Sequence, residues 1–366
     1  MKLLLAGGGT GGHFYPAIAV YQELKSKFAD LEAHYIAVEG GIESRQLPVE
    51  YPEILIHKFR LKGLARPLYN PKNVLVLLKS FIVREKLIKF LKTLKPDLAF
   101  LTGGYICGPV GSACKKLGIP FFIHEQNFIP GITNRLLAKK SSRVFLSFEE
   151  TIQYLNCPKE KVVISGNPVR KVNVDKIKLL GNMGFDPESP FVVIMGGSRG
   201  SEAINLSMLK VYEKLKSKGI NWQFLHSTGD ENIAEEINRR FEFVKAYKFV
   251  NRMIEYISIA DAMVSRAGAT TIAEILTYRV PSVLVPWPYS ADDHQLKNAE
   301  ALLKKGLSSM IIEKQLTPER LFEELWNILV GEKGKDLRYN LSKVYLKDSS
   351  KIIVDSMLEF LKFGGR

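Results

Sequence analysis

The chain has 366 residues, 46% of them apolar and 25% charged. It is too long for one ordinary core, and at ~150 residues per domain it predicts two. Three cysteines (Cys107, Cys114 and Cys157) without a CxxC pair exclude a disulfide framework and a cysteine metal site, and predict a reduced, cytoplasmic protein. The apolar run Leu3–Ala6 is too short for a signal-peptide core, and no stretch approaches the ~20 apolar residues of a membrane span, so the chain is expected not to cross a bilayer. Net charge is +14, of which residues 1–165 carry +10; residues 58–95 alone hold 11 basic side chains against one acid, Glu85. Such a surface calls for an anionic partner: nucleic acid, lipid head groups or a phosphorylated substrate.

Along the first half, short apolar runs predict strands at 3–6, 34–38, 54–59, 98–101, 121–124 and 144–147. Amphipathic stretches near 14–27, 72–93, 106–117 and 132–140 predict helices. That alternation is the mark of a parallel sheet with crossover helices. The pattern restarts at Phe191–Met195, with a helix at 201–217 and further strands at 222–226, 261–265, 281–286 and 308–312. The expected architecture is α/β, two doubly wound Rossmann-like domains covering 1–165 and 166–345, with the seam near Gly166–Arg170. A final amphipathic helix at 348–362 is capped by Asp348 or Ser349.

Each half opens with a strand running into glycines: Gly7-Gly8-Gly9-Thr10-Gly11-Gly12 in the first, Gly196-Gly197-Ser198-Arg199-Gly200 in the second. A third cluster, Gly103-Gly104-Tyr105, follows the strand 98–101. Glycines between a strand and a helix let backbone N–H groups approach phosphate oxygens, although one such loop alone can be a bare turn. A dinucleotide fold wants an acid about 20 positions on; Glu39 lies 27 past Gly12, and His13 directly follows the loop, so a dehydrogenase fits poorly. Three loops at the carboxyl ends of parallel strands would face one cleft and suit a phosphate-rich substrate pair.

The polar clusters sit in similar places. His13 can act as a general base or simply pack at the helix start. His124-Glu125-Gln126-Asn127 closes an apolar strand, and Glu125 is the rival base. Arg266 through Glu274 opens a helix with small residues, suited to a pyrophosphate; Glu274 could hold ribose hydroxyls or serve as a capping acid. Gln295, after Pro286-Trp287-Pro288, could bind sugar hydroxyls, and Asp292, Asp293 and His294 only superficially resemble a metal cluster. With no D-x-D motif in the chain, no metal or other cofactor is assigned, and Arg170 is a candidate to neutralise a leaving diphosphate.

Residues 72–92 interleave Val74, Leu75, Leu77, Leu78, Phe81, Ile82 and Leu87 with Lys72, Lys79, Arg84, Lys86, Lys89 and Lys92. The stretch reads either as an ordinary crossover helix with a solvated basic face or as an interfacial helix drawn to anionic lipid. No nucleic-acid module is present in the pattern.

The motifs GGGTGGHFYPAIAV (7–20), TGGYICGPVG (102–111), IPFFIHEQNFIPGITNRLLAK (119–139), GNPVR (166–170), GGSRGSEAIN (196–205), RAGATTIAEI (266–275) and VPWPYSADDHQLKNA (285–299) together resemble the MurG family. These are the bacterial UDP-N-acetylglucosamine:lipid I N-acetylglucosaminyltransferases of glycosyltransferase family 28. The resemblance spans almost the whole chain in order. It implies a GT-B fold, two Rossmann-like domains facing a central cleft, with the C-terminal helix 346–366 packing back onto the first domain. The implied reaction moves GlcNAc, with inversion, from UDP-GlcNAc to the MurNAc C4 hydroxyl of undecaprenyl-diphospho-MurNAc-pentapeptide, in peptidoglycan synthesis. His13 would be the base, with Glu125 supporting or replacing it. The donor would meet Thr10, Gly11, Gly12, Asn127, Arg170, Ser198, Val250, Ala269, Thr270, Thr271, Ile272, Ala273, Glu274 and Gln295. The acceptor would meet Gly103, Gly104, Tyr105 and Asn134. Val74, Leu75, Leu78, Phe81, Lys72 and Lys79 would face the membrane. The partners implied are an anionic membrane, at the cytoplasmic face of the inner membrane, and a cell-wall synthesis complex, without nucleic acid. Two departures stand out: Ala267 where many members have serine, and Arg199 where glutamine is frequent. A glycolipid synthase of the same fold and a non-catalytic binding module are the alternatives.

Overall fold

The apolar runs that end in glycine clusters become the central strands of two parallel sheets. A computed structural model describes residues 1–63, 70–197, 200–290 and 293–363, with the Lys72 side chain left out. Ser198, Arg199 and Asp292 lie outside the described residues. The chain divides into two compact units, Met1–Lys171 together with the stretch from Lys347 onward, and Val172–Leu346.

The first unit runs β1 (Lys2–Ala6), α1 (Gly11–Lys27), β2 (Glu32–Val38), α2 (Ile42–Glu50), β3 (Leu55–Phe59), α3 (Lys72–Leu94), β4 (Leu98–Leu101), α4 (Cys107–Leu117), β5 (Phe121–Glu125), α5 (Ile132–Ala138), β6 (Arg143–Leu146) and β7 (Val162–Ile164). Its seven strands pair in the order β3-β2-β1-β4-β5-β6-β7, all parallel. Leu3, Leu4, Leu5, Phe100, Phe122 and Ile123 are fully buried, as a sheet covered on both faces requires.

The second unit runs α6 (Lys176–Asn182), β8 (Phe191–Met195), α7 (Glu202–Lys218), β9 (Gln223–Ser227), α8 (Glu231–Arg240), β10 (Val244–Tyr247), α9 (Met253–Ile257), β11 (Ala262–Ser265), α10 (Ala269–Tyr278), β12 (Ser282–Leu284), α11 (His294–Lys304), β13 (Ser309–Met310), α12 (Pro318–Leu329) and α13 (Glu332–Ser342). Its sheet order is β10-β9-β8-β11-β12-β13, again all parallel. The last helix, α14 (Ser349–Phe363), belongs to the first unit. It packs on α1, sets Phe360 edge-on to Phe122 with ring centroids 5.5 Å apart, and takes a hydrogen bond from Arg143 Nη1 at Ser356 Oγ, 2.6 Å. Asp348 caps it, accepting from the Lys351 amide at 3.1 Å.

Several elements are not given by the sequence reading, among them β7, β10 and α2. Strands β7 and β10 are edge strands of three and four residues, too short to show a period. Helix α2 carries no apolar stripe because its buried residues include Glu43, Ser44, Gln46 and Glu50; Glu43, Ser44 and Glu50 meet polar partners rather than fill a core.

Candidate functional site

In an open parallel sheet, loops gather ligands where the winding direction reverses. That point falls between β1 and β4 in the first unit and between β8 and β11 in the second. The strands beside each switch point lead into the glycine motifs.

In the first unit the Gly7–Gly12 loop and the Thr102–Tyr105 loop lie main chain against main chain. Gly104 has φ +82°, and a Cβ there would fall 2.6 Å from the Gly8 carbonyl oxygen, so neither strain nor space admits a side chain. Beneath the first loop lies Glu43, fully buried, its Oε1 accepting from the Val38 amide (2.9 Å) and its Oε2 from the Gly9 amide (3.2 Å). Thr10 is the N-cap of α1 without a side-chain cap bond, and Gly11 and Gly12 form the first turn. The Tyr105 ring lies where a Cβ on Gly9 would meet it at 3.7 Å.

His13 stands in that first turn. Its Nδ1 lies 2.9 Å from the Thr102 carbonyl oxygen. A carbonyl oxygen can only accept, so a neutral imidazole here carries its proton on Nδ1 and its lone pair on Nε2. Thr102 also holds the backbone, its Oγ1 donating to the His13 carbonyl at 2.6 Å.

Glu125 is arranged otherwise. At 1% exposure, its Oε1 accepts from Asn127 N (2.9 Å) and Asn127 Nδ2 (3.1 Å), and its Oε2 from Gly131 N (3.0 Å) and Asn134 Nδ2 (2.8 Å). Four donors occupy both oxygens, so this carboxylate organises the loop between β5 and α5. Asn134 is 2% exposed, and its Oδ1 has no partner, an acceptor left for a ligand's donor.

Arg170, a diphosphate candidate in the sequence, is 2% exposed. Its Nη1 pairs with Glu50 at 3.4 Å, and its guanidinium carbon sits 3.6 Å from the Tyr15 ring centroid. Those partners engage it inside the first unit.

In the second unit, Gly200 has φ +74°, and a Cβ there would lie 2.1 Å from the Thr228 carbonyl oxygen. Helix α10 opens at Gly268, which has no side chain to cap it, and the turn of Ala269, Thr270, Thr271, Ile272 and Ala273 lies at the positive end of the helix dipole. Glu274 is buried one turn in. Gln295 is anchored through Oε1, which accepts from the Trp287 amide at 3.0 Å. Val250, expected at the donor, is buried in a core cluster that includes Met253 and Ile257.

Arg266 was singled out only as part of a motif, yet it binds three loops together. It donates to Ser201 Oγ (2.7 Å), the Val285 carbonyl (3.2 Å) and the Pro286 carbonyl (3.4 Å), and pairs with Glu313. Glu43 was missed altogether, having no signal beyond a polar helix.

On α3, Val74, Leu75, Leu77, Leu78, Phe81 and Ile82 are each more than half exposed, while Val83, Leu87, Ile88 and Leu91 are buried. Leu87, one of the apolar residues of this stretch, therefore belongs to the core. Lys79, Lys86, Lys89 and Lys92 are exposed, whereas Arg84 is held by Glu85 (2.5 Å) and Ser112 (2.8 Å). No helix among the described residues is long and apolar enough to cross a membrane.

The glycosyltransferase family 28 N-terminal domain matches residues 3–146 and the family 28 C-terminal domain residues 191–344. A UDP-N-acetylglucosamine–N-acetylmuramyl-(pentapeptide) pyrophosphoryl-undecaprenol N-acetylglucosamine transferase of Thermotoga maritima is 40% identical over 361 residues, covering 99% of this chain and 100% of its own. The crystal structure of Acinetobacter baumannii MurG superposes with a TM-score of 0.66 at 25% identity, over 98% of this chain and 99% of that one. The calicheamicin glycosyltransferase CalG4, at 13% identity and TM-score 0.64 over 99% and 98% of the two chains, shares the fold alone. The architecture is GT-B, and the chain belongs to glycosyltransferase family 28, among the MurG N-acetylglucosamine transferases.

Proposed function

We propose that this enzyme transfers N-acetylglucosamine from UDP-GlcNAc to the C4 hydroxyl of the N-acetylmuramyl group of a pyrophosphoryl-undecaprenol pentapeptide. His13 serves as general base. The observation that carries the assignment is the Thr102 carbonyl 2.9 Å from His13 Nδ1, which leaves Nε2 as the proton acceptor. Glu125, its oxygens engaged by four N–H groups, is a scaffold for the acceptor loop.

As the C4 oxygen attacks the anomeric carbon, its proton passes to His13 Nε2. The bond from that carbon to the diphosphate oxygen breaks with its electron pair, releasing UDP and inverting the centre. The N-terminal turn of α10, at the positive end of the helix dipole, suits the negative charge that develops on the diphosphate. Ser198 would add a phosphate contact, Gln295 would meet the donor sugar, and Thr10, Gly11, Gly12 and Asn127 would complete the donor side. Gly103, Gly104, Tyr105 and the unpartnered Oδ1 of Asn134 would receive the acceptor. Val250 and Arg170, both buried in their units, would have to reach the donor from within the fold.

Carrying a polyprenyl chain, the acceptor is held in a bilayer. The exposed apolar face of α3, with Lys79 beside it, supports peripheral attachment at an anionic, cytoplasmic membrane face. Lys72 would join that face. Attachment there would also put the enzyme within reach of a cell-wall synthesis complex.

The deciding experiment is His13→Ala with a soluble acceptor analogue. Turnover should fall by about 10²–10⁴-fold while UDP binding is retained. Full activity in that variant would overturn the assignment.

A further inference from the structure

We propose that Gln126, held in place by His124, is a positioning residue that locks the His13 imidazole in the tautomer and orientation needed for proton transfer. This inference rests on His13 being the base. Gln126 and His13 are 113 positions apart in the chain, and the fold sets Gln126 Oε1 3.1 Å from His13 Nδ1.

Gln126 is 2% exposed, at the turn that follows β5. Its Nε2 donates to the Thr102 carbonyl at 2.8 Å and to His124 Nδ1 at 3.0 Å. Both amide hydrogens are thereby used, and Oε1 is the atom left facing His13. The opposite amide orientation would turn Oε1 toward a carbonyl oxygen and an imidazole lone pair, and would aim N–H groups at the Nδ1–H of His13. It loses every one of these bonds.

The orientation depends in turn on His124. That ring is fully buried, and its Nε2 lies 3.0 Å from the Gly166 carbonyl oxygen. Nε2 must therefore carry the hydrogen, which leaves Nδ1 as an acceptor for Gln126. Burial pushes the imidazole down to about 4, so His124 stays neutral at working pH and Nδ1 stays open to accept. The hydrogen bonds then run in one consistent sense. His124 donates to Gly166, Gln126 donates to His124 and Thr102, and His13 donates to Thr102 and Gln126.

The consequence for the reaction follows directly. Two acceptors flank Nδ1–H of His13, and Gly103 lies against the ring, since a Cβ there would stand 3.0 Å from both Cε1 and Nδ1. Turned over, the imidazole would lose the bonds to both acceptors, so its basic nitrogen is Nε2. When Nε2 takes the acceptor's proton, the resulting imidazolium keeps Nδ1–H bonded to two oxygens, which favours the charge formed in that step. A neutral amide suits the position better than a carboxylate, which could donate neither to Thr102 nor to His124.

The test combines histidine-selective ¹⁵N NMR of the free enzyme with steady-state kinetics, the His13 signal being assigned through His13→Ala. Wild type should show His13 protonated on Nδ1, the tautomer that is minor for a free histidine side chain. In Gln126→Met the signal should move toward a mixture of the two tautomers. Its kcat should fall about tenfold with the donor KM unchanged, the size expected when one of two holding contacts is lost. A wild-type His13 protonated on Nε2 would overturn the proposal without need of any variant. So would a folded Gln126→Met enzyme with an unshifted tautomer and unchanged kcat. If the tautomer behaves as expected but His13→Ala remains fully active, the positioning stands and the assignment of the base falls.

Discussion

Asn134 Nδ2 donates to Glu125 Oε2 at 2.8 Å, and with three other N–H groups it fills the carboxylate's coordination. Glu125→Gln replaces one oxygen by an NH₂ group and sets it against two of those donors. Charge-assisted bonds of this kind contribute roughly 1.5–3 kcal/mol each, so the first unit should lose on the order of 3 kcal/mol. Its urea midpoint should drop while the acid limb of the pH–rate profile stays in place. Loss of that limb without loss of stability would make Glu125 the base after all.

Arg266 holds Ser201 at 2.7 Å, and with it the cap of α7, against the end of β12 and Glu313. Arg266→Met would strand the Glu313 carboxylate and leave Ser201 without its guanidinium partner. UDP affinity, measured by titration calorimetry, should weaken by about tenfold or more, roughly 1.4 kcal/mol, with the acceptor KM unchanged. Arg266→Lys should restore only part of it, because one ammonium cannot span partners that the planar guanidinium reaches together. Unaltered UDP binding in Arg266→Met would remove the residue from the donor site.

Leu78 and Phe81 are 56% and 59% exposed on α3. Replacing both with serine should weaken binding to vesicles containing phosphatidylglycerol by about 10–100-fold, at roughly 1 kcal/mol or more for each apolar side chain taken out of lipid. Lys79→Glu should weaken it by several-fold and reduce its salt dependence. Activity on a soluble acceptor analogue should not change. Equal vesicle binding by wild type and the double variant would remove α3 from the membrane reading.

Burial holds His124 at about 4 and His226 at about 3, against an ordinary 6.5. Because the folded values are depressed, the unfolded chain takes up protons first as the pH falls. The stability gained by keeping these rings neutral is intact above about pH 6.5 and is lost progressively toward the folded values. Each ring contributes a slope of about 1.4 kcal/mol per pH unit across that window. His226 accepts from Tyr212 (3.1 Å) and donates to Asn205 (3.0 Å), bonds that a glutamine can partly replace. His226→Gln should therefore flatten the acid limb of the stability curve of the second unit in urea titrations between pH 4 and 6.5. An unchanged slope would show that another group dominates the limb.

Much of this architecture is local. An apolar run of four or five residues followed by glycines states where a strand ends and a helix begins, so the central strands of both sheets and the motifs at their carboxyl ends could be read directly. The motif order was likewise sufficient for the family. Polar contacts were not readable in that way. The sequence offers His13, Glu125 and Gln126 as three polar residues near strand ends, without saying which oxygen is engaged and which nitrogen is open.

The tertiary structure decided those questions. Pairing β1 with β4 and β4 with β5 brings Thr102 and Gln126 to the His13 ring from 89 and 113 positions away. It also surrounds Glu125 with four donors and seals Leu87 into the core while Leu78 and Phe81 on the same helix stay exposed. Strand and helix formation depends on neighbours along the chain, which the sequence records. The tautomer of an imidazole depends on which acceptor lies beside it in space, and only the folded chain determines that.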